Sequence, residues 1–179
     1  MRKQKRADFL IDTIRFSGFT SGAEIGVYRG QTARNVLRAC PNLKLILVDL
    51  WDFRPDVYGE RELSVRKGED QRLVFKRFLT NIAPFRKRAR IIRGISWEMA
   101  DKIEDESLDF IFVDADHAYE SVKKDLQAWV PKVKPDGMIM GHDINLPDVL
   151  KAVKEMFGGY FWYAQIDNVW FVYKEEVSK

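Results

Sequence analysis

One segment restricts the fold of this chain more than any other: residues 43–50, LKLILVDL, form an almost unbroken apolar run with β-branched members. A strand with one solvent-exposed face alternates apolar and polar residues, whereas a strand covered on both faces is apolar throughout. The run therefore predicts a central strand with helices packed on both sides of its sheet. Residues 108–114, LDFIFVD, have the same character and predict a second such strand.

Strand-like and helix-like segments alternate along the chain. Helical spacing of apolar residues occurs in 9–16, 32–39, 73–82, 119–129 and 147–157, and short apolar runs occur in 23–27, 43–50, 89–94, 108–114 and 138–143. The KPDG segment predicts a turn before the last of these runs, and two final runs joined by Asp167 and Asn168 predict a hairpin. We therefore expect one α/β domain over residues 1–179, with an N-terminal helix within 1–18. Its sheet would be Rossmann-like, doubly wound, seven-stranded and mostly parallel, with an antiparallel hairpin strand.

Composition limits the classes of protein. Hydrophobic residues make up 46% and charged residues 32% of the chain, as in soluble globular proteins. The single Cys40 excludes an internal disulfide, and no apolar run approaches the ~20 residues of a membrane span. The basic start is not followed by an apolar stretch, so we expect no secretory signal and no membrane partner, and a cytoplasmic protein.

Charge is less informative. A net charge of +3 is too small to indicate a nucleic-acid partner by itself. Basic clusters at 2–6 and 86–93 are either solvated faces or contacts for phosphates or an acidic substrate. The polar segment 52–68 follows the end of a predicted strand, where open α/β sheets bind ligands, so it is either a lid or an ordinary surface loop.

The first strand-to-helix turn carries the main functional signal. It reads Glu24-Ile25-Gly26-Val27-Tyr28-Arg29-Gly30, and Asp49 ends the next predicted strand. The glycines permit a sharp turn, and an acid in the position of Asp49 can hold a ribose diol. The turn lacks the third glycine of the dinucleotide fingerprint and places an acid at the strand. This arrangement suits the cationic, phosphate-free S-adenosylmethionine better than a dinucleotide; the remaining alternative is a glycine turn without a ligand.

The segments AEIGVYRGQTA, LILVDLW, IIRGISWE and FIFVDADHAY together resemble class I S-adenosylmethionine-dependent methyltransferases over roughly residues 20–145. They are similar in particular to catechol O-methyltransferase and to the metal-dependent sugar O-methyltransferases. The resemblance implies that Glu24, Gly26, Tyr28 and Gly30 contact the methionine part of the cofactor, that Asp49 holds its ribose, and that Ser96 and Trp97 lie along its adenine. Trp97 is equally explained as a core residue.

Two acids, Asp114 and Asp143, follow the ends of successive strands, so both are expected at one edge of the sheet and beside the cofactor. Close carboxylates repel unless a cation or a proton lies between them. The resemblance implies a metal site of Asp114, His142 and Asp143, with Asn145 as an outer partner. Catechol-type enzymes have an acid where His142 stands, and imidazole suits Mn²⁺, Fe²⁺ or Zn²⁺ better than Mg²⁺. Without a metal, the two acids would only cap turns.

His117 is the expected catalytic base, because the resembling enzymes have a lysine or a histidine at this place and a neutral imidazole can take a proton near pH 7. The alternative is a residue at the helix start that bonds to backbone. Asp116 is expected to be a solvent-facing helix cap, Tyr119 to begin the helix, and Asp125 to form a structural salt bridge.

These observations predict methyl transfer to a hydroxyl group of a small sugar or aromatic molecule, with Mg²⁺ or Mn²⁺ as the expected cation. An RNA methyltransferase and a non-catalytic cofactor-binding protein are the alternatives, although no Asn-Pro-Pro-Tyr-like motif follows the fourth strand. The apolar terminal hairpin, with Phe161, Trp162, Trp170 and Phe171, would either form the edge of a homodimer or pack inward.

Overall fold

A computed structural model describes residues 5–52, 69–164 and 167–177. Its strands are β1 (Ser21–Ile25), β2 (Lys44–Asp49), β3 (Ala89–Arg93), β4 (Leu108–Val113), β5 (Val133–Gly141), β6 (Trp162–Tyr163) and β7 (Trp170–Tyr173). Its helices are α1 (Arg6–Ser17), α2 (Gln31–Ala39), α3 (Gln71–Ile82), α4 (Ser96–Met99), α5 (Tyr119–Trp129), α6 (Pro147–Phe157) and α7 (Lys174–Val177), with short 3-10 turns after α3, α4 and α5.

The sheet has seven strands in the order β3-β2-β1-β4-β5-β7-β6. The first five run parallel to one another, and β7 lies antiparallel between β5 and β6. The predicted doubly wound sheet with an antiparallel hairpin strand is therefore confirmed. The strand order reverses between β1 and β4, which are neighbours in the sheet but are far apart along the chain.

The predicted KPDG turn is wrong as a boundary, because β5 begins at Val133 and runs through it. Leu108 pairs with Val133, and Phe110, only two residues later, pairs with Met138. The additional residues of β5 bulge out of the ladder between these two pairs. Turn-forming residues can be accommodated within a strand in this way.

Predicted helix ends agree with the structure where a glycine or proline marks them. Gly18 and Gly158 end α1 and α6 with φ angles of 69° and 60°, in the left-handed region that glycine adopts without strain. Pro147 is the first residue of α6, where its missing N–H costs no helical hydrogen bond.

Two apolar layers cover the sheet. Trp129, Ile111 and Ile139 are fully buried in one cluster, and Phe78, Leu47 and Met140 are fully buried in the other. This burial on both faces explains why the central strands are apolar throughout. None of the described helices is long and apolar enough to cross a membrane.

The terminal hairpin divides its aromatic residues between core and surface. Trp170 is buried, with 1% of its surface exposed, whereas Trp162 is 45% exposed and stacks on Phe171. The inward-packing alternative therefore holds for Trp170, and the homodimer stays a prediction. The predicted lid lies, apart from Asp52, outside the described residues.

Candidate active site

A cavity of about 300 Å³ opens where β1, β4 and β5 end. It lies at the point where the strand order reverses, which is where open α/β sheets bind ligands. Its walls come from the glycine turn, the two strand ends and the start of α1. The lining includes Arg6, Glu24, Gly26, Tyr28, Asp114, His117, His142 and Asp143.

The two glycines of the turn are required by neighbouring protein atoms. Gly26 has a φ of 88°, and a Cβ there would lie 2.2 Å from the carbonyl oxygen of Asp114. Gly30 has a φ of 70°, and its Cβ would lie 2.8 Å from the ring of Phe78. Close packing of the β4 end and of α3 thus selects glycine at both positions. The sequence argument attributed these glycines to a sharp turn and missed this packing.

Asp49, the predicted ribose acid, braces the glycine turn. One carboxylate oxygen accepts hydrogen bonds from the backbone N–H groups of Val27 (2.9 Å) and Tyr28 (2.7 Å), and the other accepts from that of Trp51 (2.9 Å). The Trp51 indole donates in turn to the carbonyl of Tyr28 at 2.8 Å. Asp49 thereby fixes the shape of the cavity wall before any ligand arrives.

Glu24 is nearly inaccessible, with 4% of its surface exposed, yet it lines the cavity. Burial raises the pKa of its carboxyl well above the usual value, and the neighbouring charge of Asp114 raises it further. A carboxyl with a raised pKa is stabilised by a nearby cation, because the cation favours the ionised form.

Tyr28 has a φ of 52°, and its hydroxyl donates a hydrogen bond to Glu69. Arg29 forms an ion pair with the same carboxylate, so both side chains of the turn are tied to the segment that precedes α3.

The ends of β4 and β5 bring three potential ligands together. Asp114, His117 and Asp143 each offer one ligand atom, and these atoms lie within 4.8 Å of one another. His117 Nε2 is 2.8 Å from Asp143 Oδ2. Two carboxylates and an imidazole form a donor set that suits Mn²⁺, Fe²⁺ or Zn²⁺. Asp114 and Asp143 belong to the predicted metal set, but the third residue here is His117.

His142 is buried behind this group. Its Nδ1 lies 2.8 Å from Asp143 Oδ1 and 3.7 Å from Asp114 Oδ1, and its Nε2 lies 3.8 Å from Asp167 Oδ2. Its ring nitrogens therefore face several carboxylates. His142 therefore contacts Asp143 from behind, and it is not one of the three residues whose ligand atoms converge.

The two acids differ in protonation behaviour. Burial raises the pKa of Asp114, and the neighbouring Arg6 and His142 only partly offset this effect. Burial also favours a raised pKa at Asp143, but the close imidazoles of His117 and His142 outweigh it and hold the pKa below its usual range. Asp143 has a φ of 57°, a left-handed conformation that is uncommon outside glycine. Strain at such a residue is characteristic of functional sites.

Arg6 is the member of the site that the sequence did not indicate. Its guanidinium contacts the carboxylate of Asp114, and its backbone N–H donates to Asp167 Oδ2 at 3.0 Å. The residue is one of several in a basic N-terminal cluster. No local pattern distinguishes it from its neighbours, since its partner lies 108 positions away in the chain.

Asp116 is not the helix cap that the sequence suggested. Ala118 occupies the N-cap position of α5. Both carboxylate oxygens of Asp116 are buried and have no hydrogen-bond partner among the described residues. A desolvated, unpaired carboxylate is costly, so Asp116 is a strained feature beside the site.

The predicted adenine contacts lie on α4. The Ser96 hydroxyl is buried and donates to Asp125, and the Trp97 ring is half-buried beneath the ammonium of Lys124, at 4.9 Å from the ring centroid. Asp125 is fully buried, and among the described residues its side-chain partner is Ser96 and not the basic group of the structural salt bridge predicted for it. Its spacing from Val122 and Trp129 on the apolar face of α5 was the signal for burial.

Comparison with known proteins settles the family. A family model described as a methyltransferase domain matches residues 23–144, which include the glycine turn and the ends of β4 and β5. The chain belongs to the methyltransferase-domain family. The family resemblance expected from the sequence is thereby confirmed.

Solved structures of other proteins share the fold. The O-methyltransferase NovP aligns with a TM-score of 0.68 and 19% identity, over 94% of this chain and 78% of NovP. The cofactor-bound protein Rv0187 from MTB aligns with a TM-score of 0.67 and 14% identity, over 96% of this chain and 80% of that protein.

A curated relative is longer. The uncharacterized protein y4gI from Sinorhizobium fredii (strain NBRC 101917 / NGR234) is 31% identical over 101 residues. The match covers 55% of this chain but only 10% of that protein's length.

Proposed function

We propose that this protein is an S-adenosylmethionine-dependent O-methyltransferase that acts on a small molecule with the help of a divalent cation. One observation carries the proposal: Asp114, His117 and Asp143 converge in the cavity that Glu24 and the glycine turn also line. The family and the likeness to an O-methyltransferase fold support it.

The cofactor would lie across the ends of β1 and β2. The buried Glu24 provides a partner for a cationic group, and the backbone of the turn around Gly26 and Tyr28 is already held in shape by Asp49. Ser96 and Trp97 are assigned to the adenine side on the strength of the family resemblance. A rigid wall lowers the free-energy cost of ordering the site when the ligand binds.

The acceptor would lie on the other side of the cavity, against the ends of β4 and β5. Asp114 and Asp143 would hold the cation, with His142 behind them, and a bound cation lowers the pKa of an acceptor hydroxyl. His117, oriented by Asp143 at 2.8 Å, would take the hydroxyl proton. S-adenosylmethionine held beside Glu24 would supply the methyl group to the acceptor oxygen and would leave as a neutral thioether, while His117 would hold the proton of the hydroxyl.

Isothermal titration with S-adenosylmethionine and with its demethylated product tests the cofactor assignment. We expect dissociation constants in the micromolar range for both ligands. If neither ligand binds, the protein is not a methyltransferase of this type. A screen of catechols and sugars for cofactor turnover, with and without EDTA, then tests O-methylation and its dependence on a cation.

The role of His117 needs its own test, because the converging group allows it to act as a base or as a metal ligand. We expect His117→Ala to keep its Mn²⁺ affinity within about threefold and to lose roughly 10²–10⁴-fold in turnover. Loss of Mn²⁺ binding would make His117 a ligand instead, and full turnover would remove it from the chemistry.

The alternative of an RNA methyltransferase relies on the basic cluster at 86–93. Arg88 donates to the carbonyls of Leu37, Cys40 and Leu43, and Arg93 donates to those of Leu50 and Trp51. Two of its five basic side chains thus have structural contacts. Steeply salt-dependent RNA binding would favour this alternative.

Tight cofactor binding without metal binding or methyl transfer would favour a non-catalytic protein.

A further inference from the structure

Arg6 occupies a place in the cavity that matters for cation binding. Its guanidinium contacts Oδ2 of Asp114, which is one of the two carboxylates in the converging group. The Arg6 side chain is 34% exposed and that of Asp114 is 16% exposed, so this pair lies in the cavity wall and not in open solvent.

The pair meets an electrostatic need of the site. Asp114 and Asp143 lie close together, and a cation between or beside them relieves their repulsion. The guanidinium supplies one positive charge to Asp114. A divalent ion supplies two charges to the same carboxylate, so the two cations oppose each other at this position.

We propose that Arg6 is an internal competitor of the divalent cation: its guanidinium holds Asp114 in the metal-free protein, weakens cation binding, and is released when the ion binds. The inference rests on the cation-binding part of the proposed function. It makes Arg6 the residue that sets the affinity of the site for the metal.

Only the side chain has to move. The backbone N–H of Arg6 is held by Asp167, and α1 is anchored in the core by the buried Ala7, Leu10 and Ile14. The guanidinium can turn towards solvent while α1 stays in place. This separation allows the exchange without unfolding of the N-terminal helix.

The test measures Mn²⁺ binding to the full chain, free of cofactor and stripped of metal, from the electron paramagnetic resonance signal of free Mn²⁺. Arg6→Gln removes the charge and keeps a long polar side chain, whereas Arg6→Lys keeps the charge. Arg15→Gln is the matched control, because it removes the same charge from the same helix at a residue bonded to the carbonyl of Ala39.

We expect Arg6→Gln to bind Mn²⁺ about tenfold more tightly than the unaltered protein or better, as removal of one charge near a divalent ion predicts even at a water-like dielectric. Arg6→Lys should stay near the unaltered affinity, and Arg15→Gln should match it. The inference alone is overturned if Arg6→Gln binds Mn²⁺ no more tightly than the unaltered protein. It is also overturned if Arg6→Lys binds Mn²⁺ as tightly as Arg6→Gln. Absence of Mn²⁺ binding in every protein overturns the cation-binding part of the proposed function, and this inference with it.

A second measurement uses the unaltered protein, and a substitution is needed only to assign the resonance of Arg6. The ¹⁵N resonance of the Arg6 guanidinium in the unaltered protein should shift as Mg²⁺ saturates the site. If that resonance does not change at saturation, Arg6 is not released and the inference fails.

Discussion

The Ser96 hydroxyl donates a 2.5 Å hydrogen bond to the carboxyl of Asp125 in the protein core. The second oxygen of Asp125 is buried without a hydrogen-bond partner among the described residues. Burial raises the pKa of Asp125 to about 7 from its usual value of 3.8, and the bond from Ser96 offsets this only in part. The folded protein therefore holds a proton here that the unfolded chain releases.

A raised pKa in the folded state stabilises the protein below the usual pKa of the acid, and this contribution is lost as the pH rises through the folded value. We expect the free energy of unfolding to fall between about pH 4 and pH 7 by an amount on the order of 4 kcal/mol from Asp125 alone. Asp125→Asn should remove this part of the pH dependence. Urea unfolding of both proteins from pH 4 to 8 measures the difference.

Asp101→Asn, which removes an exposed acid, is the control for that experiment and should leave the curve unchanged. Equal pH slopes in the unaltered protein and in Asp125→Asn would show that Asp125 titrates normally.

Substitution of Glu24 should change cofactor affinity without lowering the stability of the protein. Because burial and the charge of Asp114 raise the pKa of its carboxyl well above the usual value, its ionisation costs free energy that Glu24→Gln, of the same shape, removes. We expect the variant to be at least as stable as the unaltered protein at pH 8, but to bind S-adenosylmethionine about tenfold more weakly or worse, because it cannot ionise to pair with a cation. Calorimetric titration and urea unfolding give the two quantities.

Glu98→Gln removes an exposed acid on α4 and serves as the matched control for Glu24→Gln. Unchanged cofactor affinity in Glu24→Gln would remove Glu24 from the binding site.

The sequence predicted the sheet well because burial on both faces leaves a direct trace in strand composition. It also located Asp114 and Asp143, since an acid directly after an apolar strand must lie at the carboxyl edge. The KPDG segment of β5 was mispredicted because local turn chemistry does not reveal a bulge that the neighbouring strand accommodates.

Contacts between distant segments were beyond the reach of the sequence. The Arg6–Asp114 pair joins the start of α1 to the end of β4, and the packing against Gly26 joins β1 to the same strand end. Asp125 is different, because helical spacing alone placed it on the buried face of α5. That signal was present in the sequence, and the charge of the residue argued against it.

Asp116 should limit stability. Its carboxylate oxygens are buried without a partner among the described residues, which costs free energy that an amide of the same shape reduces. We expect Asp116→Asn to increase the free energy of unfolding by about 1–2 kcal/mol at neutral pH. Asp101→Asn, at an exposed acid, provides the comparison. A loss of stability in Asp116→Asn would mean that the carboxylate has a favourable partner.

Asp143 combines a strained backbone with a ligand group, and two substitutions separate these properties. Its φ of 57° is tolerated by asparagine but disfavoured for alanine, and neither replacement supplies a carboxylate. We expect Asp143→Asn and Asp143→Ala both to lose Mn²⁺ binding by about 100-fold, whereas Asp143→Ala should be less stable than Asp143→Asn by about 1 kcal/mol. Mn²⁺ titration and urea unfolding of the two variants measure these effects independently. If both variants bind Mn²⁺ as tightly as the unaltered protein, Asp143 is not a ligand and its strain has another origin.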